Sequence, residues 1–328
     1  MLIFKTMLRK YGPSIVRSLP KTLIVYCQNK YVYEPRMESL NITGVEDPPL
    51  FDTVFFEVRT LCNGRCSFCA ASIQNETRTD QSMSFELYDK VISELAEFDF
   101  EGRIAYHVNN DPLIFKELQR FVDNARQKLP RAWIQILTNG VALTTKKAEA
   151  LIAGGINEIT IDWYNDDLES ALPKKFDIIR NEILPKYYAE DQIQAGHYAE
   201  FTSERIFRWN IFRRLQNEVL NSRGGTAPNK QEKSMAPRGF CEYPFTQFNI
   251  TANGKVSKCC SDLYFSDVMG DVNKNTVLEI WNNDHFRNVR EKLIIGDRVS
   301  LKNCAGCDFY GSKRLPSIPA RIINELTQ

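Results

Sequence analysis

Three cysteines stand close together in the first third of the chain. Cys62, Cys66 and Cys69 follow the spacing C-x3-C-x2-C in the segment LCNGRCSFC. A structural zinc site uses four protein ligands, and this local group offers three. A [4Fe–4S] cluster usually takes four thiolates, so with three of them one iron keeps an open position for a small molecule. The spacing therefore favours an open iron–sulfur cluster over zinc with a distant fourth ligand or a chance arrangement.

A second group of cysteines lies in the last third of the chain. It comprises Cys241, Cys259, Cys260, Cys304 and Cys307, with the last two in a C-x2-C pair. Four thiolates drawn from a hairpin and a later C-x2-C pair fit a zinc ribbon. A closed iron–sulfur cluster is the alternative, and the spacing by itself favours zinc. The spacing alone leaves both alternatives open.

The composition bounds the class of protein that carries these cysteines. The chain has 328 residues, 43% of them hydrophobic and 25% charged, which is ordinary for a globular protein and excludes global disorder, collagen and coiled coil. Its 42 basic and 41 acidic residues give a net charge of +1, so no basic footprint for nucleic acid is present. Nine cysteines in a chain of this length indicate a reducing compartment, and we expect the protein to be cytoplasmic.

Residues 1–50 form a basic N-terminal extension without an acidic residue before Glu34. The apolar run Leu23–Cys27 is far too short to span a bilayer. We expect this extension to pack on the body of the protein. A transit peptide and a helix that contacts the membrane surface are the alternatives.

The stretch from about 51 to 215 alternates strand and helix patterns. A strand that is followed by a helix and another strand at this spacing indicates parallel βα units, and their active sites lie at the carboxyl ends of the strands. The sequence thus predicts an α/β protein with a partial (β/α)6 TIM-like barrel, and an open doubly wound sheet is the second choice. The predicted strands are 54–58, 104–108, 133–137, 156–163 and 209–215, and the predicted helices are 84–98, 115–129, 146–153 and 174–190.

The pattern changes after residues 222–239, which are rich in Gly, Pro and Ser and indicate a loop at a domain boundary. Segments 245–251 and 255–259 flank Asn253-Gly254, a strong hairpin signal. Helices are predicted over 276–282 and 285–293. Together these elements predict a small α+β domain.

At this point the sequence resembles the radical SAM superfamily. The three-cysteine spacing, the aromatic Phe68 before the last cysteine and the position after the first strand of a βα barrel are typical of that family. The resemblance covers about residues 51–220. It implies that the three cysteines hold a [4Fe–4S] cluster whose fourth iron binds S-adenosylmethionine. One-electron reduction then yields a 5′-deoxyadenosyl radical, which abstracts a hydrogen atom from the substrate.

The same resemblance implies contacts to S-adenosylmethionine at the ends of four strands. The segment Asn109-Asn110-Asp111-Pro112 stands where the family has a Gly-Gly-Glu-Pro-like turn. One of two adjacent arginines is expected to bind the methionine carboxylate, and the sequence does not say which one points inward. The cofactor-contacting residues that the resemblance implies are Phe68, Asn109, Asn110, Asp111, Thr138, Asn139, Asp162, Arg213 and Arg214.

The C-terminal cysteines resemble the SPASM/twitch extension of radical SAM enzymes. No cysteine follows Cys307, so the likeness is to the shorter twitch form with one auxiliary cluster. This implies a second, closed [4Fe–4S] cluster held by Cys241, Cys259, Cys304 and Cys307. The expected organisation is an extension over 1–50, a radical SAM barrel over 51–235, a twitch domain over 236–310 and a tail over 311–328.

Three further residues are candidates for contact with the substrate. Arg223 lies in Ser-Arg-Gly-Gly before the twitch domain, and Asp262 follows the second hairpin strand. Each can bind or deprotonate a hydroxyl, or can be an ordinary loop residue. Cys260 is the spare thiol: if an extended strand turns Cys259 toward the cluster, Cys260 faces the other side. It is then a hydrogen-atom donor or a small buried residue.

These observations predict a radical SAM oxidoreductase that oxidises a secondary alcohol of a sugar-like or aminocyclitol substrate. The closed auxiliary cluster would accept the second electron. The alternatives are a radical epimerase that uses Cys260 as hydrogen donor, a ribosomal-peptide maturase, and a zinc-stabilised scaffold without activity. An electron donor such as flavodoxin or ferredoxin is the expected protein partner.

Overall fold

The computed structural model describes residues 33–196, 205–230, 239–262 and 264–309. The chain divides into two compact units. The barrel unit comprises 51–220 and 247–281, and the second unit comprises 1–50, 221–246 and 282–328. Most of the predicted extension and the predicted tail, together with Cys27, lie outside the described residues.

The barrel unit is built on one sheet of nine strands with the spatial order β5-β6-β4-β3-β2-β1-β7-β8-β9. From β1 to β4 and on to β6 each strand pairs in parallel with the next. A doubly wound sheet would reverse its order at a switch point, so this order confirms the partial barrel. The strands are β1 (Thr53–Phe56), β2 (Arg103–Ala105), β3 (Trp133–Thr138), β4 (Glu158–Tyr164), β5 (Ile193–Gln194), β6 (Phe207–Arg214), β7 (Gln247–Ile250), β8 (Lys255–Ser257) and β9 (Val268–Asp271).

The helices between these strands follow the apolar stripes of the sequence. The helix Phe85–Glu97 begins at Ser84, whose side chain accepts a hydrogen bond from the Leu87 amide. Its apolar residues Tyr88, Val91, Ile92 and Leu95 are buried, as are Leu118, Phe121, Val122 and Ala125 of Leu118–Lys128. The predicted helix over 174–190 is shorter, because its last turns are a π turn and a 3₁₀ turn that contains Pro185. The α-helices are α1 (Glu34–Ser39), α2 (Phe85–Glu97), α3 (Leu118–Lys128), α4 (Thr145–Ala153), α5 (Lys174–Ile178), α6 (Tyr243–Thr246), α7 (Val277–Trp281) and α8 (Asp284–Ile294).

The predicted hairpin is present, and its first strand joins the barrel. Strand β7 pairs in parallel with β1, and β8 and β9 follow in antiparallel order. Gly254 has φ +86°, and a Cβ there would lie 2.3 Å from the side-chain nitrogen Nδ2 of Asn273. Residues 247–281 of the predicted twitch domain thus continue the barrel sheet, and the predicted domain limits stay a prediction.

The amino ends of the strands are closed by a buried polar network. The Glu158 carboxylate accepts hydrogen bonds from Trp133 Nε1 at 3.0 Å, Gln135 Nε2 at 2.9 Å and Thr160 Oγ1 at 2.8 Å. This network leaves the carboxyl ends as the open end of the barrel for chemistry. In the residues that the structure describes, no helix is long and apolar enough to cross a membrane.

The second unit is held by buried arginines. Arg36 of α1 pairs with Glu242 at 3.0 Å, and both side chains are 3% exposed. Arg290 of α8 donates to the Pro244 carbonyl at 2.9 Å and lies over the rings of Phe245 and Phe286. These contacts join the segments before, between and after the barrel strands into one unit.

Candidate active site

The loop that carries the first three cysteines leaves the carboxyl end of β1 and is anchored at both ends. Thr60 exchanges hydrogen bonds with Gln81, and its hydroxyl donates to the Thr79 carbonyl. Ser67 donates twice to the Gln216 carbonyl, from its amide at 3.0 Å and its hydroxyl at 3.2 Å. An irregular loop held in this way can present side chains in a fixed arrangement.

Gly64 lies between two of the thiols of this loop. Its amide donates to Cys62 Sγ at 3.2 Å. A Cβ at Gly64 would lie 3.3 Å from Cys62 Sγ and 3.9 Å from Cys66 Sγ. Cys66 is buried, and Cys62 and Cys69 are half-buried. A side chain at position 64 would therefore crowd Cys62 Sγ, whereas glycine leaves this space empty.

The chemistry of this donor set fits an iron–sulfur cluster. Burial raises the pKa of the Cys62 and Cys66 thiols to about 12, so bound iron must supply the positive charge that makes them thiolates. In the described part of the chain, no three His, Cys, Asp or Glu side chains converge closely enough for a single metal ion. A four-iron cluster takes one thiolate per iron and needs wider spacing than zinc, whose sulfur ligands all lie at about 2.3 Å.

A hydrogen-bond network connects this loop to the ends of β2 and β3. Asn139 Nδ2 donates to Asn63 Oδ1, beside Cys62, at 2.7 Å. Asp111 Oδ2 accepts from Thr138 Oγ1 at 2.8 Å and from the Asn139 amide at 2.9 Å. Asp111 is buried, and burial raises the pKa of its carboxyl group. The structure thus brings three predicted cofactor residues from two strands together beside the cluster loop.

The two asparagines before Asp111 have different surroundings. Asn109 is 2% exposed. Asn110 closes its own turn, since its Oδ1 accepts from the Val108 amide and its Nδ2 donates to the Tyr106 carbonyl, both at 3.2 Å. The side chain of Asn110 thus shapes the turn, and the turn can contact a cofactor through its backbone groups.

The structure distinguishes the two adjacent arginines at the end of β6. Arg214 lies 3.8 Å from Asp162 of β4 and 2.9 Å from Glu218, and it interacts electrostatically with Cys66. Arg213 is exposed and donates to the carbonyls of Leu168 and Ser170. Arg214 is therefore on the side of the cluster loop, and Arg213 points to the surface, away from the expected cofactor.

Tyr164 is a residue of this site that the sequence reasoning missed. It ends β4, its ring lies 5.7 Å from the ring of Phe68, and it interacts electrostatically with Cys66 and Cys69. Burial raises the pKa of its hydroxyl group, which therefore stays protonated. The alternation along β4 after Asp162 was the signal that could have found it.

Three of the four predicted auxiliary ligands belong to the second unit. We call Cys241, Cys304 and Cys307 the auxiliary thiol set. Arg298 is 2% exposed, its guanidinium hydrogen-bonds to Cys241, and it interacts electrostatically with the other two sulfurs. Burial alone would lower the pKa of Arg298, but these sulfurs raise it above its ordinary value. A buried cation among thiols fits a set that is held as thiolates by iron.

The Arg-Gly-Gly loop lies on the C-x2-C turn of the same unit. The amides of Gly224 and Phe309 donate to Cys307 Sγ. Ser222 Oγ donates to the Gly306 carbonyl at 2.8 Å, and the Ser222 amide donates to Asp308 Oδ1 at 2.7 Å. Arg223 has φ +45°, an uncommon conformation for a residue other than glycine. The structure thus brings the backbone of the Arg-Gly-Gly loop to Cys307.

The expected extended strand through Cys259 and Cys260 is wrong. Strand β8 ends at Ser257, whose hydroxyl both donates to the Cys259 carbonyl at 2.8 Å and accepts from the Cys259 amide at 3.3 Å. These bonds turn the chain, so strand alternation does not assign Cys260 to the face opposite Cys259. The ligand role of Cys259, in the barrel unit, stays a prediction.

Asp262 is buried at the end of this turn. Its Oδ1 accepts from the Ser266 amide at 3.1 Å and hydroxyl at 2.9 Å, and its Oδ2 accepts from the Asp267 amide at 3.2 Å. These contacts favour the hairpin-end alternative over a carboxylate that deprotonates a substrate.

Two protein-family models match the chain. The radical SAM superfamily matches residues 57–200, and the iron–sulfur cluster-binding domain SPASM matches residues 241–308. The matched segments contain all seven cysteines that the sequence analysis assigns to clusters.

The relatives point in the same direction. The chain is 28% identical over 259 residues to the S-adenosyl-L-methionine-dependent 2-deoxy-scyllo-inosamine dehydrogenase of Niallia circulans, and the match covers 79% of this chain and 93% of that protein. The crystal structure of BtrN in complex with AdoMet and 2-DOIA matches with 27% identity and a TM-score of 0.62, over 80% of this chain and 95% of BtrN. An open conformation of BtrN, at 24% identity and a TM-score of 0.52, shares the fold over 79% of this chain and 93% of that one.

The fold and the two cysteine-bearing segments define an enzyme with a partial barrel and iron–sulfur clusters. The chain contains a radical SAM domain and a SPASM/twitch domain. Its cofactors are S-adenosylmethionine, the radical SAM [4Fe–4S] cluster and an auxiliary [4Fe–4S] cluster.

Proposed function

We propose that the protein is a dehydrogenase that oxidises one secondary alcohol of an aminocyclitol to a ketone. The observation that carries this proposal is the similarity to 2-deoxy-scyllo-inosamine dehydrogenase over 93% of that protein's length. The family models match most of the barrel and the segment with the auxiliary cysteines. The proposed substrate class is therefore a small ring that carries hydroxyl and amino groups.

The reaction removes a hydrogen atom, a proton and an electron from the alcohol. When bound, S-adenosylmethionine and the two clusters supply a radical that takes the hydrogen atom and an acceptor that takes the electron. The remaining tasks fall to side chains of the chain: to hold the cofactors, to orient the alcohol and to take the proton. We assign the radical SAM cluster to Cys62, Cys66 and Cys69 and the auxiliary cluster to Cys241, Cys259, Cys304 and Cys307.

The contacts support particular tasks for the cofactor residues. Arg214 has the charge and position to bind the methionine carboxylate, and Asp162 and Glu218 hold its guanidinium. The backbone turn before Asp111 offers its groups to the methionine amino group. Asp111 keeps Asn139 in place through the Asn139 amide, and Asn139 in turn holds Asn63 beside Cys62.

Arg223 is the proposed substrate-contacting residue. Its uncommon backbone conformation is followed by Gly224 at φ +65° and Gly225 at φ +84°. A backbone held in such conformations often marks a functional loop. A guanidinium on this loop can donate two hydrogen bonds to neighbouring hydroxyl oxygens of the ring and so lower the cost of losing the hydroxyl proton. The proton then passes to solvent or to the substrate's own amino group.

The electron that starts each turnover must come from outside the chain. We propose a small acidic or iron–sulfur carrier such as flavodoxin or ferredoxin as the donor. A reducing cytoplasm suits both the carrier and the thiolate ligands of the clusters.

The test uses the full chain, reconstituted with iron and sulfide without oxygen. It is incubated with reductant, S-adenosylmethionine and 2-deoxy-scyllo-inosamine that carries deuterium at its carbinol carbons. We expect a ketone and 5′-deoxyadenosine with one deuterium, in equal amounts. The variant Arg223→Ala should lose ketone formation, and Arg213→Ala, which changes a surface arginine, should keep it.

Two outcomes would refute the proposal. A product that remains an alcohol with inverted configuration would identify an epimerase. Cleavage of S-adenosylmethionine without deuterium transfer from any aminocyclitol would exclude this substrate class and return the peptide alternative.

A further inference from the structure

The position of Arg298 suggests a task beyond packing. Its side chain is 2% exposed, and a buried guanidinium is costly unless an anion balances it. Among the described residues no carboxylate lies within ion-pair distance of Arg298, and its Nε has no hydrogen-bond partner. Its described electrostatic partners are the auxiliary thiol set and the Tyr33 hydroxyl group.

The backbone holds this guanidinium in place. Helix α8 ends at Ile294 and is followed by Gly296 at φ +77°, whose carbonyl accepts from the Arg298 amide at 3.1 Å. The Arg298 carbonyl accepts from the Leu301 amide, also at 3.1 Å. Arg298 thus sits in a closed turn between α8 and the C-x2-C pair, and its hydrogen bond reaches back to Cys241 at the start of the unit.

We propose that Arg298 is a positioning residue that raises the reduction potential of the auxiliary cluster. Reduction adds one negative charge to the cluster, and a buried cation beside its thiolates stabilises the reduced form more than the oxidised form. The amides of Gly224 and Phe309 act in the same direction, because each donates a hydrogen bond to Cys307 Sγ. The role rests on the proposed function in one respect: dehydrogenation needs the auxiliary cluster as an electron acceptor.

The test measures the potential of the auxiliary cluster by itself. The full chain with Cys62, Cys66 and Cys69 replaced by Ala is reconstituted without oxygen, and its remaining cluster is titrated by EPR. Adding Arg298→Gln should shift the equilibrium between reduced and oxidised cluster at least tenfold toward the oxidised form. The reduction potential of the cluster is then lower by at least about 59 mV for one electron. Arg298→Lys keeps the charge. Its potential should therefore exceed that of Arg298→Gln by more than half of the difference between the parent and Arg298→Gln.

Arg290 provides the matched control. It is also a buried arginine of the second unit, 1% exposed, and its described contacts are with the Pro244 carbonyl and the rings of Phe245 and Phe286. Arg290→Gln should leave the potential unchanged. An unchanged potential in Arg298→Gln, or an equal shift in Arg290→Gln, would overturn the proposal.

A second measurement does not depend on the variant holding its cluster. Pulsed EPR of the reduced auxiliary cluster in the parent protein, with ¹⁵N in the arginine guanidinium groups, should show a coupled guanidinium nitrogen. Absence of any coupled guanidinium nitrogen in the parent would refute the contact. Ketone formation by the wild-type enzyme is assayed separately. If it fails while Arg298 still sets the potential, the proposed function falls and this inference stands.

Discussion

Replacing Gly64 by Ala should weaken the radical SAM cluster selectively. The new Cβ would lie 3.3 Å from Cys62 Sγ, 3.5 Å from Asn139 Nδ2 and 3.9 Å from Cys66 Sγ. The first of these contacts is tighter than van der Waals packing allows, so the Cys62 sulfur must move by a few tenths of an ångström. Overpacking of this kind costs about 1–3 kcal/mol, and about 1.4 kcal/mol is a tenfold loss in cluster affinity.

The assay counts iron and acid-labile sulfide per chain after reconstitution with just enough iron to fill two clusters. Two four-iron clusters predict about eight irons in the wild-type protein. In Gly64→Ala the iron content should fall toward about four irons per chain, because the auxiliary cluster is not affected. The variant should also lose cleavage of S-adenosylmethionine, because cleavage needs the radical SAM cluster. Gly44→Ala is the control, since nothing lies within 4 Å of a Cβ at that position. Full iron content and normal cleavage in Gly64→Ala would refute the placement of the cluster around this glycine.

Three further substitutions test the assignments around the cofactor. Arg214→Ala should raise the KM for S-adenosylmethionine about tenfold or more, because a charged hydrogen bond to the carboxylate is lost, whereas Arg213→Ala should leave the KM unchanged in the same steady-state assay. Asp111→Asn removes one acceptor from the Asn139 amide and should cost about 1–3 kcal/mol of S-adenosylmethionine affinity, measured by calorimetry; unchanged affinity would contradict the network. Cys260→Ala should still form ketone, because dehydrogenation returns no hydrogen to the ring, and a loss of product with continued cleavage would favour epimerisation.

Much of the barrel could be predicted because each of its elements has a local pattern. The apolar stripe of α2 has the period of a helix, and β1 is a short run of β-branched and aromatic residues, which strands favour. The pairing of β7 with β1 could not be predicted, because it joins Thr53–Phe56 to residues almost two hundred positions later. Strand β5 has only two residues, which are too few to show a periodic pattern.

The candidate site also has residues that the sequence pattern predicts and residues whose role appears only in the structure. The first cysteines are recognisable because three ligands fall in one short loop. The directions of Arg213 and Arg214 were open, since alternation along a strand gives two faces but does not say which is buried. Arg298 has no pattern at all: a lone arginine after a helix becomes informative only when its burial and its sulfur neighbours are seen.

The charges around the two thiol sets predict the order of their potentials. Arg214 beside Cys66 is shared by two carboxylates, Asp162 and Glu218, so these described groups carry a net negative charge. Arg298 beside the auxiliary thiol set is buried without a carboxylate within ion-pair distance in the described residues. A negative environment disfavours reduction and a positive one favours it. We therefore expect two separate waves in a redox titration of the wild-type protein, and the wave that remains after Cys62, Cys66 and Cys69 are replaced by Ala should be the higher one. If the remaining wave is the lower, the charge argument is wrong.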